Sequence, residues 1–283
     1  MSDVFVTPPP TISTESVLDF LYNHYGFSAS IEKLSSDRDL NFKVSSKEKT
    51  YVMKIANSSE DFKVLEMQNN ALRFIASQDE KIEVPLPIES NQKKDITIIE
   101  DPSGKYHARL LTYIEGDFLK DVEPDNQMLF SVGQFLGRID QILTGFNHRS
   151  AARTFIWDAA QVNVLSRQIN QSEDDRLLIE FFIKTYKENV FYHIDELSKG
   201  IIHNDGNDHN VIIGSNGKIK GIIDFGDMVR ERRFATASNT PVRGFVSGGS
   251  DGGTKFSDSE LITIASTGNS VTFGDVGDEL DNL

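Results

Sequence analysis

Residues 203–228, HNDGNDHNVIIGSNGKIKGIIDFGDM, hold two carboxylates and an amide at a spacing that suits phosphoryl chemistry. Asn210 follows Asp205 by five residues, and Asp224 follows Asn210 by fourteen. Phosphoryl transfer from a nucleotide needs few protein groups, because catalysis there is mostly positioning and charge neutralisation. One carboxylate must orient the attacking hydroxyl and accept its proton, and Asp205 suits that role. Magnesium bridges the phosphates through hard oxygen ligands, which an amide and a carboxylate, Asn210 and Asp224, can supply. A lysine on a neighbouring strand should hold the outer phosphates, and Lys54 in TYVMKIAN (50–57) meets that need. Taken singly, each residue is ordinary: an aspartate before a strand is commonly a turn or cap, and a strand lysine is commonly a solvated face. The ordered set Lys54, Asp205, Asn210, Asp224 is the specific signal.

These groups can act only if the chain brings them together. Residues 1–13 read as a Pro-rich lead, followed by a helix with Thr14 as N-cap and Gly26 as its stop. IEKL (31–34), NFKV (41–44) and TYVMKIAN alternate as strands. SSEDFKVLEMQNNALRFIAS (58–77) predicts a helix capped by serine, acidic in its first turn, with Phe62, Leu65, Leu72 and Ile75 on its apolar face. VPLPI (84–88), DITIIE (95–100) and YHARLLTYI (106–114) add extended segments. From Asp125 the pattern turns helical, with Met128, Val132, Phe135, Leu136, Ile139 and Leu143 at helical spacing; Gly133 and Gly137 there read as close packing in a soluble core. A second long helix is predicted over 172–197, with Glu173, Asp174 and Asp175 at its positive end. A hairpin turned at Gly214-Ser215-Asn216-Gly217 then returns Asp224 to the end of the sheet where Asn210 begins it.

The His-x-Asp-x4-Asn pattern followed by Ile-Ile-Asp-Phe-Gly-Asp resembles the aminoglycoside phosphotransferase group of kinase-like enzymes. Within it, the match is to hydroxylysine kinases and the similar kinase domains fused to class III aminotransferases. SSDRDLNF (35–42), YVMKIAN (51–57), LEMQNNALRFI (65–75), RLLTYIEG (109–116), FIWD (155–158) and NDHN (207–210) carry the same resemblance, over roughly 14–230. It implies an α+β, bilobal protein-kinase-like fold, with a sheet-rich N-lobe over 14–112, a helical C-lobe over 113–230 and nucleotide between them. It implies that Lys54 contacts the nucleotide phosphates and that Glu66 or Gln68 on the following helix orients it. SSDRDLNF would cover the phosphates; lacking glycines, it would cradle them through Ser36, Arg38 and backbone N–H groups. Thr112 to Ile114 would form the hinge that reads the base of ATP or GTP. The implied reaction transfers the γ-phosphate to a hydroxyl of an amino alcohol or hydroxy amino acid, hydroxylysine-like, with Asp205 as base and Mg2+ on Asn210 and Asp224.

Two departures sit inside the opening stretch, where the family usually has Gly after the histidine and Leu after the aspartate, and this chain has Asn204 and Gly206. Asparagine is the non-glycine residue best suited to left-handed backbone, so it can stand in at 204. Gly206 removes an apolar anchor and adds backbone freedom beside Asp205. His203 reads as the structural residue that holds the loop, and His209 as a hydrogen-bonding residue of the loop interior. A larger departure follows Arg230: the helices that complete the family's C-lobe are missing. Residues 231–283 hold eight of the chain's twenty glycines and resemble a Gly-rich β-repeat of viral tail proteins. GFVSGG (244–249), ELITIAST (260–267) and SVTFGD (270–275) read there as short strands of an otherwise irregular tail, and Arg230 reads as a junction between unrelated sequences.

Composition narrows the function classes. A net charge of −14 argues against nucleic acid and anionic membranes as partners, leaving a nucleotide and a small hydroxyl acceptor. No apolar run approaches the ~20 residues of a membrane helix, and MSDVFVTPPPTIS lacks the pattern of a signal peptide. The absence of cysteine excludes disulfides and thiolate metal sites and fits a cytoplasmic protein. Two other readings stand beside the kinase: an inactive nucleotide-binding remnant, and a structural fusion in which the β-rich tail matters.

Overall fold

The computed structural model describes Val4 and residues 7–154, 173–191, 199–232, 236–239, 243–250 and 255–263. The chain divides into two compact units, 1–122 with 209–226 and 123–208 with 227–283.

The first unit is built on a six-stranded sheet. β1 (Ser30–Leu34), β2 (Leu40–Ser45) and β3 (Thr50–Ile55) run as an antiparallel meander; β3 pairs with β6 (Gly104–Thr112), which also pairs with β4 (Pro87–Ile88) and β5 (Thr97–Asp101). Side chains alternate between the two faces of a strand. Phe42, Val44, Met53, Ile55 and Leu110 share one face, buried with Val17, Phe20 and Leu21 of α1 (Thr14–Tyr25). The register sets Asn41, Lys54 and Arg109 side by side on the other face.

Helix boundaries follow local hydrogen bonding more than composition. Ser13, not Thr14, caps α1, its hydroxyl accepting from the Ser16 amide at 3.0 Å, and Gly26 ends it at φ 78°. α2 (Phe62–Gln78) begins four residues later than the sequence predicts. Asn57 draws the intervening residues into a turn, its side chain accepting from the Ser59 amide at 2.9 Å and its carbonyl from the Glu60 amide at 3.0 Å. Asp61 is therefore the cap, accepting from the Lys63 amide at 2.8 Å, and the expected acidic first turn lies outside the helix. Leu65, Leu72 and Ile75 are buried as expected, whereas Phe62 stays 40% exposed.

A second, three-stranded sheet in this unit joins β7 (Asp117–Phe118), β9 (Val211–Ile213) and β10 (Ile219–Ile222). The β9–β10 turn closes through Gly214 N–H to Lys218 carbonyl at 2.8 Å, with Gly217 at φ 71°. Glu83 stitches β10 to the rest of the unit, its N–H donating to the Lys220 carbonyl at 3.1 Å and its carbonyl accepting from Ile222 at 3.2 Å.

The second unit holds α3 (Asn126–Leu143), capped by Asp125, and α4 (Glu173–Tyr186), which passes into a π turn over Lys187–Phe191 instead of continuing as α-helix. Leu129, Val132, Gly133, Leu136, Ile139 and Leu143 form the buried stripe of α3, so Leu129 takes the place expected for Met128. β8 (Lys199–Ile202) pairs antiparallel with β11 (Val229–Arg232). β12 (Thr236–Asn239), β13 (Arg243–Ser250) and β14 (Lys255–Thr263) form an antiparallel sheet whose β13 and β14 lie against α3. GFVSGG falls inside β13 and ELITIAST begins inside β14, while SVTFGD and FIWD lie outside the described residues. On α4, Leu177, Phe181 and Phe182 are exposed. Among the described residues no helix is long and apolar enough to cross a membrane.

Candidate active site

Strand alternation turns Lys54 away from the Met53 and Ile55 core, and its ammonium meets two carboxylates. Lys54 Nζ lies 3.3 Å from Asp224 Oδ1 and 3.9 Å from Asp39 Oδ2, so residues 170 apart in sequence form one ion-pair cluster. Asp224 stands at φ 61°, left-handed backbone that an Asp tolerates better than most residues, and its Oδ1 also accepts from Gly226 N–H at 3.3 Å. Asn210 comes to the same end of the hairpin because its carbonyl accepts from Ile223 N–H at 2.9 Å, and its side chain is buried. Lys54, Asn210 and Asp224 thus occupy one region of the first unit.

The helix residue expected to orient Lys54 does not do so. Glu66 Oε2 pairs with Lys63 Nζ at 2.9 Å, and Gln68 Oε1 accepts from Arg109 Nη2. The late start of α2 decides this, because it sets which side chains face the sheet. Arg109 also donates to Asn69 Oδ1 at 2.8 Å and to the Leu65 carbonyl at 3.4 Å. Burial lowers the pKa of this guanidinium from the usual arginine value, while the charges of Asp39, Asp224 and Glu60 raise it. Asp39 and Arg109 are the two site residues that sequence reasoning missed. Asp39 lies within SSDRDLNF and Arg109 opens RLLTYIEG, but neither has a type or spacing that marks it.

In the 35–42 loop, Ser36 Oγ accepts from Asp39 N–H at 3.3 Å, so the hydroxyl closes the turn. The Arg38 carbonyl accepts from Asn57 Nδ2 at 3.3 Å, and its Nη2 lies 3.2 Å from where a Cβ on Gly226 would stand, which sets the guanidinium beside the Asp224 turn. At the expected hinge, Thr112 N–H donates to the Leu86 carbonyl at 2.9 Å and its hydroxyl accepts from Leu86 N–H at 2.8 Å. Ile114 is buried, and among the described residues no backbone carbonyl takes its N–H.

Asp205 belongs to the second unit, in a loop held by its neighbours. Its N–H donates to Nδ1 of the buried His203 at 3.2 Å, which in a neutral ring puts the proton on Nε2. His203 therefore has the structural role read from sequence. Asn207 Nδ2 donates to Asp205 Oδ1 at 2.7 Å and fixes the carboxylate. Asn204 adopts φ 65°, the left-handed conformation expected of it, and its Nδ2 donates to the Asp227 carbonyl at 3.3 Å. His209 departs from expectation: the turn over 208–210 directs Asp208 and Asn210 inward and leaves His209 exposed.

Among the described residues no group of three His, Cys, Asp or Glu stands ready to hold a metal ion. Asn210 and Asp224 still fit a magnesium ion that takes most of its oxygen ligands from phosphate and water. Asp224 has the exposure for it, with 42% of its side chain open.

Comparison with known proteins identifies the family and the fold. The family model described as the phosphotransferase enzyme family, APH, matches residues 30–231. Hydroxylysine kinase of Danio rerio is 28% identical over 235 residues, covering 77% of this chain and 66% of that protein. Hydroxylysine kinase of Mus musculus is 32% identical over 236 residues, covering 72% and 61%. The chain thus spans less than two thirds of the length of these relatives. Two solved structures share its fold. Amicoumacin kinase hAmiN, in complex with AMP-PNP, Ca2+ and Ami, gives a TM-score of 0.60 at 17% identity over 78% of this chain and 66% of that one. A microcompartment-associated aminopropanol kinase gives 0.59 at 14% identity over 76% and 70%. The lysine strand, the His203–Asn210 loop and the Asp224 turn all fall inside the matched stretch, and the chain belongs to the APH phosphotransferase enzyme family, with its protein-kinase-like fold.

Proposed function

We propose that this chain carries the phosphoryl-transfer machinery of a small-molecule kinase that moves the γ-phosphate of ATP or GTP to a hydroxyl of an amino alcohol or hydroxy amino acid. The pairing of Lys54 with Asp224 at 3.3 Å carries the reading, because it joins a phosphate-holding cation to a metal-holding carboxylate across 170 residues of sequence. Lys54 and Arg38 offer positive charge to the phosphates, and the Ile114 amide is a donor for the base. Asp205, oriented by Asn207, takes the proton from the acceptor hydroxyl as its oxygen bonds to the γ-phosphorus and the bond to the β-phosphate oxygen breaks. Asn210 and Asp224 would hold Mg2+, which neutralises charge on the phosphates. Hydroxylysine is the first acceptor to try, since the curated relatives are hydroxylysine kinases.

The test is nucleotide turnover with hydroxylysine, homoserine, choline and aminoglycosides, for the parent chain and for Asp205→Asn. Loss of a general base should lower turnover by ~10²–10⁴-fold. Equal turnover in the variant overturns the assignment of Asp205. A chain that binds magnesium nucleotide and transfers phosphate to none of these acceptors would instead be a nucleotide-binding module.

A further inference from the structure

Three cross-strand neighbours, Asn41, Lys54 and Arg109, share the sheet face that carries the nucleotide-binding groups, and only Lys54 has an assigned role. Arg109 is 4% exposed, yet its hydrogen-bond acceptors are all uncharged: Gln68 Oε1, Asn69 Oδ1 and the Leu65 carbonyl. A buried guanidinium is costly to desolvate, and a carboxylate at position 68 would offset that cost through a buried ion pair of the same shape. Neutral amides tie β6 to α2 equally well in geometry but give the guanidinium no hydrogen-bonded counter-ion, so only the more distant Asp39, Asp224 and Glu60 offset its charge. That charge stands on the strand directly opposite Lys54. It also fills the two α2 side chains that could otherwise draw the lysine back, so Lys54 reaches forward to Asp39 and Asp224.

We propose that Arg109 is a positioning residue for nucleotide binding: as a buried cation clamped by the neutral Gln68 and Asn69 instead of by a carboxylate, it holds Lys54 toward Asp224 and adds positive field where the phosphates bind. It touches no nucleotide itself. The inference rests on the kinase reading above and goes beyond it by placing the control of Lys54 in a charge on β6 instead of a carboxylate on α2.

Gln68→Glu separates charge from structure, because it keeps the shape and the hydrogen bond while neutralising Arg109. The probe is magnesium ATP, with magnesium GTP alongside, titrated by calorimetry into the full chain. The expected result is an unchanged or higher Tm together with affinity weakened about tenfold, or ~1.4 kcal/mol. Arg109→Lys is the companion variant: it keeps the charge and loses the fork, so it should lower Tm yet retain affinity within about threefold. If Gln68→Glu binds as tightly as the parent, or Arg109→Lys loses as much affinity as Arg109→Gln, Arg109 is only a strut and the proposal is overturned. A parent chain that binds neither nucleotide overturns the kinase reading and this inference together, whereas normal parent binding with an indifferent Gln68→Glu overturns this inference alone.

Discussion

Gly206 stands beside Asp205 where family members usually carry leucine, and the second unit shows what fills the space. A Cβ built on Gly206 would lie 3.1 Å and 3.2 Å from the two terminal methyls of Leu136 on α3. Carbon atoms pack best at ~3.5–4.0 Å, so Gly206→Ala requires Leu136, only 6% exposed, to retreat by roughly half an ångström. Overpacking of this kind costs ~1–3 kcal/mol, and the lost flexibility of the unfolded chain returns ~0.4–1, leaving a net destabilisation of about 1 kcal/mol. Gly206→Leu should be worse, and Leu136→Ala alone should cost ~2–5 kcal/mol through the cavity it opens. Together the last two should compensate, because each supplies what the other removes. The expected coupling in a double-mutant cycle is about 2 kcal/mol, in the range found for residues in contact. Urea unfolding followed by far-UV circular dichroism reads all four states. Additivity within about 0.5 kcal/mol, or a Gly206→Ala variant more stable than the parent, would refute the view that Leu136 occupies the missing anchor's place.

Two further outcomes follow from single positions. Asp224 sits at φ 61°, so Asp224→Asn should keep the turn and its acceptor for Gly226 N–H while weakening magnesium-dependent nucleotide binding; Asp224→Ala should be ~1 kcal/mol less stable than Asp224→Asn, and equal melting temperatures would contradict this. Burial raises the Tyr25 phenol above its ordinary value, so the unfolded chain ionises first: stability is complete below pH ~10 and falls as pH rises through the folded value. Tyr25→Phe should flatten that alkaline decline in urea titrations at pH 8 and 11, and an identical decline would exclude Tyr25 as its source.

Lys54, Asn210 and Asp224 were legible because each depends on something local: strand alternation, a fixed loop length, or a short hairpin with glycines at its turn. Asn204 was legible because its type alone predicts left-handed backbone. The partner of Lys54 was not legible, since it depends on where α2 starts. That is set by Asn57, whose Nδ2 binds the Thr7 carbonyl at 2.8 Å and the Arg38 carbonyl at 3.3 Å, contacts spanning 50 and 19 residues. A serine-rich, acidic stretch reads as a helix start until that network claims it. Arg109 was hidden for the same reason, its amide partners lying about 40 residues away on a helix whose phase was one of the unknowns. His209 was misplaced because the sequence names a turn there without saying which of its residues faces in.

The two compact units divide the proposed chemistry unevenly. Lys54, Asp39, Arg109, Asn210 and Asp224 all belong to the first, because the 209–226 hairpin joins it through Glu83 and the β7 pairing. Asp205 belongs to the second, together with the residues that follow the end of the family match at 231. On the proposed roles, nucleotide binding and phosphate transfer would have separable structural supports. Changes at Asp205 or Asn207 should act on turnover and leave magnesium-nucleotide affinity nearly intact, whereas changes at Gln68, Arg109 or Asp224 should act on affinity first. A chain that binds nucleotide normally but phosphorylates nothing would place its defect in the second unit, with the Lys54–Asp224 arrangement still competent.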